Sequence, residues 1–182
     1  MQKIYKLFIP LLTMSILFLN GCGDTSLNDN AESTPVPGSI VFEAQDMEGN
    51  VVSSEIFSET RLTMVNVWAT YCNPCLREMP GLGELAGEYA TDKFRIVGII
   101  SDVMEGADQK TLDYAADLVE QTGAGYTHLL LNESLYYALL TDVSAVPTTF
   151  FIDEDGVVLD TVVGSMEKSA WEEMINELLE RP

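Results

Sequence analysis

Cys72 and Cys75 are two of the chain's three cysteines and lie three positions apart in the stretch VNVWATYCNPCLREMP, Val65 to Pro80. Two thiols at this spacing can close on each other as a disulfide or supply half of a metal site. A structural zinc takes four ligands, no second cysteine pair follows, and the chain has a single histidine, His128. A purely structural bridge is also a poor fit, because closing so short a loop constrains little of the unfolded chain. Thiol-disulfide exchange is the favoured chemistry, with no metal and no cofactor expected.

The elements around the pair support that reading. Leu62–Ala69 (LTMVNVWA) is almost continuously β-branched, aromatic or aliphatic, the mark of a strand buried on both faces. Cys75, Met79, Leu82, Ala86 and Tyr89 then recur at helical spacing. The cysteines therefore fall where a strand hands over to a helix. At the helix start Cys72 faces unpaired backbone N–H groups and the positive end of the dipole, which favour thiolate over thiol. Cys72 is the expected attacking sulfur and Cys75, one turn further in, the more buried resolving thiol. Pro74 suits a first helical turn, and Pro80 is expected to kink the helix.

Elsewhere, two short apolar pieces flank Glu48-Gly49-Asn50 and read as a hairpin. Phe94–Ser101 and Tyr126–Leu131 read as buried strands, with a helix between them outlined by Leu112, Ala115, Ala116 and Val119. Asp102–Lys110 reads as a loop, in which Met104 is a candidate for a substrate rim. Ser134–Leu140 reads as a short helix. A second hairpin turns at Asp155-Gly156, and Trp171, Met174, Ile175, Leu178 and Leu179 form one stripe of a final helix. The fold class is α/β, a central mixed β-sheet with helices on both faces and an N-terminal β-hairpin.

The chain has 182 residues, of which 47% are apolar, enough for one domain with a proper core. Nine Lys and Arg stand against 29 Asp and Glu, giving a net charge of −20. Such a surface repels nucleic acid and anionic headgroups, so no nucleic-acid partner is expected. Residues 1–21 read as a signal peptide: Lys3 and Lys6 precede an apolar run, Leu7–Leu19, that reaches only about 20 Å against a hydrocarbon core of about 30 Å. Leu19-Asn20-Gly21-Cys22 resembles the lipobox of bacterial lipoproteins, which implies cleavage before Cys22 and acylation there. Residues 22–38 are polar and Pro-containing and read as a flexible tether; 39–182 is the folded domain.

VWATYCNPC, followed by SAVPTTFFIDEDG, resembles the membrane-tethered TlpA/ResA-like thiol-disulfide oxidoreductases of the thioredoxin superfamily. The resemblance spans Phe42 to Leu179 and implies a thioredoxin-like fold. It implies a cis bond before Pro147, with Val146, Pro147 and Thr148 holding substrate backbone, and Trp68 and Tyr71 beside them. Thioredoxins proper have an aspartate at position 66; Asn66 here does not titrate, which leaves proton handling to Glu78, a carboxylate expected to have a raised pKa. Tyr71 stands where the family often has Trp. The resemblance further implies location on the outer face of the bacterial cytoplasmic membrane and the reducing direction. It implies disulfide-containing exported proteins as substrates, those of cytochrome c biogenesis among them, and a CcdA/DsbD-like membrane thiol carrier as electron donor. His128, alone in a strand, reads as structural. A thiol peroxidase of related fold needs a Pro-x-x-x-Thr-x-x-Cys pattern, but Val65 and Ala69 occupy its Pro and Thr positions. A copper chaperone needs a cysteine spacing one residue longer and a ligand histidine, for which only His128 is on offer.

Overall fold

The computed structural model describes residues 38–181. The expected signal peptide, almost all of the tether and Cys22 lie outside the described residues. The chain enters through a hairpin of β1 (Glu43–Gln45) and β2 (Val51–Ser53). Its turn is tied by the Asp46 carboxylate, which accepts the N–H groups of Glu48 and Asn50 at 3.0 and 2.8 Å. After a 3-10 helix, Ser54–Glu59, comes β3 (Leu62–Trp68), buried along its whole length as its composition predicts.

β3 is the centre of a five-stranded sheet. β4 (Phe94–Met104) and β5 (Thr127–Leu131) run parallel to it on one side; β6 (Thr148–Asp153) and β7 (Val158–Val163) form the antiparallel side. The order is β5-β4-β3-β6-β7. Successive β3 side chains alternate between two cores, as the pleat requires. Val65 and Val67 pack with Phe42, Phe57, Ile99 and Leu139 on one face. Leu62, Met64 and Trp68 face the other, covered by α1 (Asn73–Glu88), α2 (Gln109–Thr122) and α4 (Lys168–Glu180). The first hairpin reaches the β5 edge, where Met47 N–H donates to His128 C=O at 3.1 Å.

Several details differ from the sequence reading. β4 runs past Ser101 through an irregularity between Ile100 and Met104, so Asp102–Met104 belongs to a strand and not to a loop. Ser134–Leu140 is not one regular helix: a single turn, α3 (Glu133–Leu135), passes into a π-helical stretch, Tyr136–Leu140. Ala116 is exposed, and Leu118 packs inward in its place. α1 continues through Pro80, which only removes the N–H that would have served the Leu76 carbonyl.

α1 is drawn close to the end of α2 by a glycine. A Cβ on Gly83 would lie 2.3 Å from the carbonyl oxygen of Gly123, the left-handed cap of α2. The carbonyl is backbone and a Cβ is fixed by the backbone that bears it, so no rotamer relieves the contact. Ala is the better helix former by about 1 kcal/mol. Gly83→Ala is nevertheless expected to destabilise the fold by about 1–3 kcal/mol, the usual cost of overpacking. Urea unfolding checks this; an unchanged or raised midpoint would show that α1 is free to shift.

Candidate functional site

Cys72 is the N-cap of α1, with extended backbone (φ −87°, ψ 91°). Its Sγ accepts the N–H of Cys75 at 3.2 Å, and the two residues are joined as a disulfide with Cα atoms 5.3 Å apart. Pro74 lies in the first turn, and no acidic residue accompanies it there to offset the helix dipole. When the bond is reduced, the Cys72 thiolate inherits an N–H donor and the positive end of a 16-residue helix. Cys75 is fully buried and Cys72 nearly so. Beside the pair runs the chain before β6, where the Val146–Pro147 bond is cis. Neither the N–H nor the C=O of Val146 has a hydrogen-bond partner among the described residues.

Beneath the disulfide, four residues in register cross the sheet: Thr149, Asn66, Gly98 and His128. Asn66 Nδ2 donates to Glu78 Oε1 at 3.1 Å and to Thr149 Oγ1 at 3.0 Å. The second oxygen of Glu78 accepts Met166 N–H at 3.1 Å. Glu78 is therefore no exposed helix carboxylate; it is buried, and burial raises its pKa against the lowering pull of the Met166 and Asn66 donors. A cleft of about 420 Å³ between Arg77, Gly81, Ser165 and Lys168 reaches it from solvent. The hydroxyl of Tyr126 is buried with no partner among the described residues, and its pKa is raised by burial and by the Glu78 charge.

His128 completes the row. Trp68 Nε1 donates to His128 Nδ1 at 3.1 Å, so Nε2 carries the proton and donates to the Ala124 carbonyl at 2.8 Å. The imidazole lies over Gly98, where a Cβ would sit 2.2 Å from Nδ1. Burial lowers its pKa to about 4, opposed by the Ala124 carbonyl. Among the described residues no charged side chain pairs with it. Its part is to fix Trp68, which packs with both cysteines.

Of the residues expected to meet substrate, Tyr71 is 74% exposed and Val146 half-buried. Trp68 cannot touch a substrate, because it is fully buried as a floor under the disulfide. Thr148 is also buried, its hydroxyl donating to the Ala145 carbonyl at 2.8 Å within the loop before β6. Met104 is exposed at the end of β4. Sequence reasoning missed Thr149 as an anchor of Asn66 and the Met166 N–H as an anchor of Glu78. It also missed Asp102, whose carboxylate accepts both Thr70 N–H (3.0 Å) and Thr70 Oγ1–H (2.6 Å) and so holds the segment before Tyr71. These contacts join distant parts of the chain, and no local pattern announces them.

Residues 37–161 match the family described as AhpC/TSA. The chain belongs to that family. Among its relatives, the thioredoxin-like protein YneN of Bacillus subtilis is 33% identical over 62% of this chain and 62% of its own length. The thiol-disulfide oxidoreductase ResA of Halalkalibacterium halodurans is 27% identical over 76% of this chain and 72% of its own. Among solved structures, the pneumococcal exposed lipoprotein thioredoxin Etrx1 of Streptococcus pneumoniae superposes with a TM-score of 0.57 at 25% identity, covering 75% of this chain and 98% of that one. The fold is thioredoxin-like, and within the AhpC/TSA family the chain is of the thiol-disulfide oxidoreductase kind, with Cys72–Cys75 as its redox pair.

The buried row fixes a pH dependence with two opposing signs. His128 has a folded pKa of about 4 against an ordinary 6.5, so between those values the unfolded chain binds a proton that the folded one refuses. Stability then rises with pH across that window, by up to about 3 kcal/mol. Glu78 has a raised folded pKa and acts oppositely, costing stability as pH rises through its folded value. Urea midpoints measured from pH 4 to 7 should flatten in His128→Gln and steepen in Glu78→Gln. A slope unchanged in His128→Gln would assign it to other carboxylates.

Proposed function

We propose that this chain reduces disulfides in exported proteins on the outer face of the bacterial cytoplasmic membrane. Residues 1–21 serve as its signal peptide, acylated Cys22 as its anchor, 22–38 as its tether and 39–182 as its working domain. Reduced Cys72 attacks a substrate disulfide, a mixed disulfide forms, and Cys75 displaces the reduced product. Glu78 exchanges the proton that Cys75 gains or loses, with the cleft beside Arg77 and Lys168 as its route to solvent. Tyr71 and Val146 contact the substrate, whose extended backbone pairs with the open N–H and C=O of Val146, and the buried Pro147 sets the turn behind them. Trp68 and Thr148 act from beneath.

The observation that carries the reading is the asymmetry of the pair. Cys72 caps a helix beside an unpaired backbone edge, and Cys75 is sealed behind it above a buried carboxyl group. A peroxidase reading finds Val65 and Ala69 where its Pro and Thr belong. A metal-chaperone reading finds both ring nitrogens of His128 already bonded within the fold. The description of the pneumococcal neighbour as an exposed lipoprotein supports the anchor at Cys22. Among the described residues no helix is long and apolar enough to cross a membrane. A reductase tethered in an oxidising compartment needs its electrons delivered, and a CcdA/DsbD-like membrane thiol carrier fills that place. Cytochrome c biogenesis is one process that consumes such reducing power.

The reducing direction is tested by the potential of Cys72–Cys75, equilibrated against glutathione. A value near or below about −250 mV is expected, on the thioredoxin side of the known range. A value near −120 mV would make the protein a donor of disulfides.

A further inference from the structure

Beside the disulfide lies an open groove of about 230 Å³, walled by Tyr71, Tyr136, Leu140, Val143 and Val146, with Ser101 at one end. Its walls come from five parts of the chain: the residue before Cys72, β4 at Ser101, the end of β5 at Leu131, the π-helical stretch, and the loop before the cis proline. Two aromatic rings stand unburied here, Tyr71 at 74% and Tyr136 at 44% exposure. Among the described residues no Lys or Arg lines the groove. The chain on its flanks is acidic. Asp102 follows Ser101 and is fixed by Thr70. Glu105 is fixed by Gln45 N–H at 2.6 Å and by Asn132 Nδ2 at 2.9 Å, next to the lining residue Leu131. Glu133 opens α3, and Asp142 precedes Val143. None of these four carboxylates is in an ion pair among the described residues; the ion pairs there engage Glu59, Glu84, Glu88 and Glu177.

We propose that this groove selects its partner: it takes a bulky apolar side chain next to the partner's reacting cysteine, carried on a cationic segment. The proposal rests on the exchange reading above and adds the substrate class to it. The apolar walls desolvate the side chain, and the open Val146 backbone aligns the segment as an added strand. The uncompensated carboxylates raise the encounter rate of cationic segments and repel acidic ones. The chemistry is two-electron exchange. The Cys72 thiolate attacks one sulfur of the partner's disulfide and expels the other as thiolate. Cys75 then attacks the Cys72 sulfur and expels the second. The chain is left oxidised as Cys72–Cys75, the partner reduced to a dithiol, and the two thiol protons of the chain end on the partner's sulfurs.

The test uses the purified full chain, reduced, and three disulfide-bridged peptides. The first carries Leu next to one cysteine with Lys on either side; the second has Ala for Leu; the third has Glu for both Lys. Reduction of hydroxyethyl disulfide is followed in parallel. The Lys peptide is expected to react about tenfold faster than the Glu peptide at low salt, the gap closing in high salt. The Leu peptide is expected to exceed the Ala peptide by about tenfold, the discrimination an apolar pocket gives. In Tyr136→Ser the Leu-to-Ala ratio should fall towards one, and in Tyr136→Phe it should persist. In Glu133→Gln with Asp142→Asn the Lys-to-Glu ratio should shrink. Because each readout is a ratio within one variant, a general loss of activity cancels. Equal rates for the three peptides, or ratios untouched by these substitutions, would overturn the inference and leave the exchange reading standing. A reduced chain inert even to hydroxyethyl disulfide would overturn both.

Discussion

The structure depends on a single junction, the three residues between the end of β3 at Trp68 and the cap of α1 at Cys72. β3 is buried on both faces and paired on both edges, so it has no freedom to move its C-terminal end. That rigidity delivers Cys72 to the N-terminus of α1, where one N–H bonds its sulfur and the dipole favours its negative charge. Cys75 inherits its place from the helix repeat, one turn in and out of solvent's reach. The chemical inequality of two identical side chains is thus a consequence of secondary structure. Ser101 and Asp102 reinforce the junction from β4: Ser101 Oγ donates to the Trp68 carbonyl at 2.9 Å, and the Asp102 carboxylate holds Thr70.

Behind the junction the sheet carries a row of polar residues where strands of this kind carry aliphatic ones. Burying such groups is costly unless they find partners. Asn66, Thr149 and Glu78 satisfy one another in part, and Trp68 and His128 do so beside them. Gly98 makes room, since any side chain there would collide with the imidazole. The Asn66 carbonyl oxygen and the Tyr126 hydroxyl have no partner among the described residues. Polar atoms left open around a buried carboxyl group of raised pKa are the setting that the proposed proton-exchange role of Glu78 calls for.

The central strand, the helix carrying the cysteines, both hairpins and the terminal helix were legible in the sequence because each has a strong period or a turn signal. The Asp155-Gly156 turn, tied by Asp153 to Val157 N–H at 2.8 Å, is a local device and reads locally. Cys72 and Cys75 were legible for the same reason, since their meaning depends on position relative to one strand and one helix. What escaped was set by tertiary contact. Trp68 was expected beside the bound substrate, yet His128, 60 residues away, pins it inside. Thr148 turns its hydroxyl back on Ala145, and Glu78 finds its second anchor at Met166, 88 residues on. The π-helical stretch that walls the groove has no signature separating it from an ordinary helical turn.

That Cys72 attacks and Cys75 resolves is the claim on which the mechanism stands. The direct measurement is to mix each single-cysteine variant, reduced, with a disulfide-bridged peptide and identify the adduct by mass spectrometry. Cys75→Ser is expected to accumulate a mixed disulfide on Cys72 within the time of one turnover, because the resolving thiol is gone. Cys72→Ser is expected to form almost none, its remaining thiol being fully buried. Rapid adduct formation on Cys75 in Cys72→Ser, with none on Cys72 in Cys75→Ser, would contradict the assignment and the role of the helix cap beneath it.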